Sequence, residues 1–160
     1  MKLALLCVGK LKDDAERSIV SRYMERLGPM GGAVGLSAAG VVEIVESRAS
    51  TPQARKRAEA DELCKRLGAD TKTVALDERG RMLTSEELAD ILRRWKDEGT
   101  RSAAFVIGGP DGLDPDFAKS ADLHFSLGRI TLPHGLARCV LAEQLYRAAT
   151  LIAGHPYHRP

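Results

Sequence analysis

Residues 125–159, FSLGRITLPHGLARCVLAEQLYRAATLIAGHPYHR, decide how the rest of the chain is read. A short apolar segment, Leu127-Gly128-Arg129-Ile130-Thr131-Leu132, passes through Pro133-His134-Gly135 into an amphipathic helix. Leu136, Val140, Leu141, Leu145, Ala148, Ala149 and Ile152 recur at helical spacing and predict its buried stripe. Gly154 ends that helix, and His155-Pro156-Tyr157-His158-Arg159 follows. All four histidines, His124, His134, His155 and His158, lie in or beside this stretch. Imidazole is the side chain best suited to exchange a proton near neutral pH, so the clustering points here for chemistry.

Upstream, apolar runs alternate with helical patterns. Lys2 to Val8 is nearly continuous and closed by Gly9, as a strand buried on both faces should be. Ala15, Ile19, Tyr23 and Leu27 then fall on one helical face, with Gly28-Pro29 as the expected stop. Met30 to Gly40 is Gly/Ala-rich, has no period and reads as a loop. Val41 to Glu46 is the second expected strand. Thr51-Pro52 opens a helix that runs to Gly68. Lys72 to Asp77 is the third strand, with a turn at Glu78-Arg79-Gly80. Thr84 and Glu87 have capping-box spacing ahead of the stripe Leu88, Ile91, Leu92 and Trp95. Ser102 to Ile107 is the fourth strand, Asp114-Pro115 caps a short helix, and Leu123 to Leu127 is the fifth strand. Strands alternating with helices predict one α/β domain over residues 1–160, a parallel sheet covered on both faces. Pattern alone gives an unknotted, doubly wound sheet, because knots are excluded by default.

Composition narrows the partners. The formal charge of +2 does not advertise nucleic-acid binding. Its distribution is more telling: from Ala121 onward Arg129, Arg138, Arg147 and Arg159 face only Asp122 and Glu143, a balance compatible with a phosphate-bearing partner. The cysteines, Cys7, Cys64 and Cys139, are odd in number and far apart, which argues against a zinc site or a disulfide framework and for a reducing cytoplasm. The first apolar run is too short for a signal-peptide core, and no segment approaches membrane-spanning length. A cytoplasmic protein without a metal is expected.

In an open parallel sheet, ligands bind beyond the carboxyl ends of the strands. Three segments qualify: Leu76-Asp77, Gly108 to Gly112, and Leu127 to His134. Small residues at Gly108-Gly109 would let a ligand approach the backbone closely. Neither a dinucleotide fingerprint nor a phosphate-cradling loop is present. His134 reads as a cap or surface residue and His124 as structural. Tyr157-His158-Arg159 suits a planar, negatively charged partner, since tyrosine stacks, arginine meets phosphate and histidine takes a proton.

Ile107-Gly108-Gly109-Pro110-Asp111-Gly112, Thr131-Leu132-Pro133-His134, Leu141-Ala142-Glu143-Gln144-Leu145-Tyr146-Arg147-Ala148 and His155-Pro156-Tyr157-His158-Arg159 together resemble the ribosomal RNA large subunit methyltransferase H family, of the SPOUT or α/β-knot class. The resemblance covers essentially the whole chain. It implies a deep trefoil knot, with knot and cofactor site within about residues 101–160, and a homodimer. It also implies S-adenosylmethionine as cofactor, and Leu76, Gly108, Gly109 and the run Leu127, Gly128, Arg129, Ile130, Thr131 and Leu132 as its pocket. The implied substrate is N3 of a pseudouridine in helix 69 of 23S rRNA, on the 70S ribosome.

An imide N3–H is a poor nucleophile until its proton leaves, so such a site needs a base and donors for the charge spreading onto the flanking carbonyls. His158 or His155 is the expected base, Arg159 or Arg138 the charge stabiliser, and Tyr157 the orienter of the base. Two alternatives stand beside this: the same kind of methyltransferase acting on another RNA, or, read without the resemblance, a non-catalytic flavodoxin-like module that binds a nucleotide or a partner.

Overall fold

Side chains along the two central strands alternate between two apolar cores. The chain runs β1 (Lys2–Val8), α1 (Asp14–Gly32), β2 (Ser37–Ile44), α2 (Pro52–Arg66), β3 (Thr71–Met82), α3 (Ser85–Asp97), β4 (Ser102–Ile107), α4 (Pro115–Ser120), β5 (Leu123–Ser126) and α5 (His134–Ile152). This computed structural model describes residues 1–158. In β4, Ala103, Phe105 and Ile107 enter one core while Ala104 and Val106 enter the other, because successive strand side chains point to opposite faces. In β1, Leu3, Leu5 and Cys7 are set against Leu6 and Val8 in the same way. Helices α1, α3 and α5 close the first core with Leu27, Leu92, Trp95, Leu141 and Leu145. Helices α2 and α4 close the second with Ala60, Leu63 and Phe117.

The five strands are ordered β2-β1-β4-β3-β5, and every neighbouring pair is parallel. Helix starts follow their caps. Thr51 accepts from the Ala54 amide, Thr84 and Glu87 complete the expected capping box, and Asp114 accepts from the Asp116 and Phe117 amides.

Two local expectations are corrected. Helix α1 does not stop at Gly28-Pro29 but continues to Gly32 with Pro29 inside it. Its end is set instead by packing: Gly31 approaches Leu36 so closely that a Cβ there would lie 2.8 Å from the Leu36 carbonyl oxygen. The Gly/Ala-rich segment is not all loop either, since β2 begins at Ser37. Pairing with β1 (Lys2 to Ser37, Leu3 to Ala38) overrides the weak strand preference of these residues. An irregularity between Leu3 and Ala4 is absorbed opposite Gly40, whose φ of 91° is in the region that glycine adopts readily.

Candidate functional site

Three strand ends and the loops that leave them enclose a cleft of about 540 Å³. Its floor is Leu76 of β3, Ile107 of β4, and Phe125 and Ser126 of β5; the chain after Gly108 and the chain after Leu127 form its walls. Close backbone approach shapes it. At Gly108 a Cβ would lie 2.7 Å from the Gly112 carbonyl carbon, so the loop that doubles back there excludes any side chain. The doubling is fixed by the Gly112 amide, which donates to the Gly109 carbonyl at 2.8 Å. On the far wall, the Gly128 amide donates to the Ser126 hydroxyl at 3.2 Å, and that hydroxyl donates to the Gly128 carbonyl at 2.9 Å.

Strand β3 also outruns its expected end. Phe125 is paired with both Leu76 and Arg81, so residues 77–80 make an excursion alongside the end of β5. A Cβ at Gly80 would lie 2.6 Å from the Phe125 carbonyl carbon. The excursion contributes Asp77, Glu78 and Arg79 to the cleft.

The residues expected at a pocket do converge. Leu76, Gly108, Gly109, Leu127, Gly128, Ile130, Thr131 and Leu132 all line the cleft; the exposed Arg129 does not. His134, read as a surface residue, is exposed and stands at the cleft. His124 is structural, its ring engaging the Ala118 carbonyl. The cleft volume falls in the range of small-molecule sites, and its walls offer apolar side chains beside main-chain polar groups. That set fits a nucleoside-bearing cofactor such as S-adenosylmethionine, whose adenine is planar and rich in hydrogen-bonding edges.

Arg138 is taken up inside the fold. It is only 2% exposed, with its Nη1 on the Glu43 carboxylate at 2.8 Å and its Nη2 on the Val8 and Gly9 carbonyls at 2.8 and 2.9 Å. It therefore seals the end of β1 and does not face the cleft. The β1/β4 crevice, where an open sheet ordinarily takes its ligand, is filled on this side by Arg138. A Cβ at Gly109 would meet Glu59 Oε2 and Val8 at 3.1 Å, so the other side is closed too.

The tail forms a separate cluster on the same chain. His158 Nε2 is 2.7 Å from Glu86 Oε1 of α3, and its Nδ1 is 3.5 Å from Arg147 Nη1. Arg147 is clamped by Glu143 at 2.6 and 3.0 Å, and the Tyr157 hydroxyl donates to that carboxylate at 3.1 Å. Burial first, then the Tyr23 hydroxyl and Glu143, push the Tyr157 phenol up from its ordinary value, so it remains a donor. The Tyr157 side chain thus holds Glu143 and not a histidine, which leaves only its main chain to orient one. Its ring meets Tyr146 edge-on at 4.8 Å, and Arg147 lies 4.9 Å above it. The His155 ring is exposed and its Nδ1 accepts from the Tyr157 amide at 3.2 Å, which is a turn-holding task. Arg159 lies outside the described residues.

Among the described residues, none after Ala137 lines the cleft. Along α5 from Ala137 to Arg147 is about 15 Å at ~1.5 Å per residue, so along this helix the tail cluster stands apart from the cleft. Between them, Leu136 and Val140 are exposed, 46% and 39%, although the periodicity put them in the buried stripe. Sequence reasoning missed Glu86, Glu143 and Arg147. The i, i+4 spacing of Glu143 and Arg147 was a legible signal; Glu86 carried none beyond its place in a first turn.

A family model described as a predicted SPOUT methyltransferase matches residues 1–158. A protein of Allorhizobium ampelinum named ribosomal RNA large subunit methyltransferase H is 50% identical over 159 residues, covering 99% of both chains. A protein of the same name from Brucella anthropi is 47% identical over 159 residues, again covering 99% of both. Among solved structures, a probable methylase family protein from Haemophilus influenzae superposes with a TM-score of 0.51 at 13% identity, over 99% of this chain and 70% of that one.

Proposed function

Since this chain belongs to the SPOUT methyltransferase family, we propose that it is the enzyme that methylates 23S rRNA at N3 of a pseudouridine in helix 69, taking the assembled ribosome as substrate in the cytoplasm. The carrying observation is the cleft at the ends of β3, β4 and β5, where glycines admit a ligand to the main chain. Bound there, S-adenosylmethionine would supply an electrophilic methyl group. Leu76, Gly108, Gly109, Leu127, Gly128, Ile130, Thr131 and Leu132 would hold and orient it; Arg129 keeps only the place in that run which the resemblance gives it. The remaining task of the protein is to take the N3 proton and to stabilise the charge left on the base.

His158 is the proposed base, with the Arg147 guanidinium 3.5 Å from its Nδ1. Arg159 keeps the charge-stabilising role that the resemblance gives it. Because His158 lies far from the cleft of its own chain, it serves the cleft of a second copy. Leu136 and Val140 supply the contact: an isologous pairing of antiparallel α5 helices would bring the Arg147 end of one to the His134 end of the other. The knotted C-terminal part follows from the family alone, as the resemblance implies.

Ribosomes, separated subunits and free 23S rRNA from cells lacking the modification, incubated with the protein and labelled S-adenosylmethionine, test this. Label should appear in one helix 69 fragment as an N3-methylated pseudouridine, most strongly on ribosomes. Label in another fragment, or none, would overturn the assignment.

A further inference from the structure

The tail histidine is held from two sides, and the two sides differ in chemistry. At 2.7 Å from Nε2 stands the Glu86 carboxylate, an acceptor; at 3.5 Å from Nδ1 stands the Arg147 guanidinium, a donor. An acceptor at Nε2 fixes the proton there, and a cationic donor at Nδ1 requires a lone pair there. The imidazole is thereby set in one tautomer, with Nδ1 as its basic nitrogen. The Glu86 carboxyl is held below its ordinary range first by its own main-chain amide and the Thr84 hydroxyl and then by His158, so it is an ionised acceptor fixed at the start of α3. Its neighbour Glu87 is taken by Arg81 and by the Thr84 amide, and Glu143 is taken by Arg147 and Tyr157. The capping box anchors the α3 first turn that carries Glu86, so the carboxylate rests on a rigid element.

We infer that Glu86 is a positioning residue for methyl transfer, which holds His158 Nε2–H so that Nδ1 can receive the N3 proton of the target base. The inference rests on the proposed role of His158 as base. As the C–S bond breaks and the C–N3 bond forms, the N3 proton passes to Nδ1; the resulting imidazolium keeps its Nε2–H···Oε1 bond to Glu86 and later releases its proton to water. The carboxylate stabilises that cation, while Arg147 opposes it and Glu143 offsets Arg147. Glu86 of α3 and Arg147 of α5 contact the ring, and Glu143 and Tyr157 stand behind Arg147.

Full-length Glu86→Gln, assayed on ribosomes lacking the modification, should lose about ten- to a hundredfold in kcat, a modest share of what general-base catalysis can contribute. Cofactor Kd should be unchanged, and Glu86→Asp should recover part of the rate. A parental kcat in Glu86→Gln, or a loss of kcat that Glu86→Asp does not recover at all, would overturn the inference, and His158→Ala separates the two ways this can happen. If His158→Ala is inactive, the role of Glu86 alone falls; if it is active, the base assignment falls and this inference with it.

Discussion

Arg55 grips Asp111 with two prongs, Nε to Oδ2 at 2.6 Å and Nη2 to Oδ1 at 3.1 Å, and uses its remaining Nη1 on the Ala49 carbonyl at 3.1 Å. Asp111 sits in the glycine loop of the cleft, so α2 fixes that wall from outside. The hydrogen bond from Arg55 holds the Asp111 carboxyl below its ordinary range. Arg55→Ala should therefore raise the S-adenosylmethionine Kd about three- to tenfold, because a loop that must be ordered on binding costs affinity. Thermal stability should hardly move, since the pair is exposed. Calorimetric titration of both proteins checks this; equal affinities would refute it.

Arg138 makes the opposite prediction. Its guanidinium satisfies Glu43 and the Val8 and Gly9 carbonyls inside the fold. Arg138→Met should cost about 3 kcal/mol in a denaturant titration, the scale for breaking a buried pair and leaving its partners unsatisfied. Turnover per folded molecule should survive at a temperature where the variant remains folded. A large loss of kcat with parental stability would restore Arg138 to the chemistry.

Cys7 supplies a test in pH. Burial pushes its thiol up from 9.0 to about 11. The folded state therefore keeps a proton that the unfolded chain gives up from pH 9, so its contribution is complete below that pH and is lost on rising towards 11. The loss should be on the order of 2 kcal/mol. Cys7→Ala should be less stable at pH 8 but should fall less steeply between pH 9 and 11. Parallel slopes from denaturation at each pH would contradict the argument.

Sharing of the site between copies can be read by mixing. A protein carrying Gly108→Val, whose side chain has no room beside Gly112, should be inactive, as should His158→Ala. Co-expressed and purified as a heterodimer, the two should regain up to about half the parental rate, because one of the two composite sites is whole. Val140→Glu should abolish that rescue and give monomers by light scattering. No recovery in a verified heterodimer would place the whole site within one chain.

Much of the fold was legible because it rests on local signals. The caps at Thr51, Thr84 and Asp114 mark the helix starts, and the run Ser102 to Ile107 marks β4 to the residue. What escaped depended on distant partners. Pairing with β1 turns Ser37 to Gly40 into strand, and the passage of Gly80 beside Phe125 extends β3; neither leaves a periodic trace. The cleft was legible in its glycines, whereas the fate of Arg138 was not, since an arginine on an amphipathic helix looks the same whether it reaches a substrate or a neighbouring strand end. Leu136 and Val140 misled for a related reason: periodicity detects an apolar face but not what covers it.

The distance between the cleft and the tail cluster makes enzyme concentration a kinetic variable. If His158 works only at a neighbour's cleft, dilution past the dissociation midpoint should lower specific activity while each separated chain still takes up cofactor. Uptake and turnover would then report on different species in the same tube.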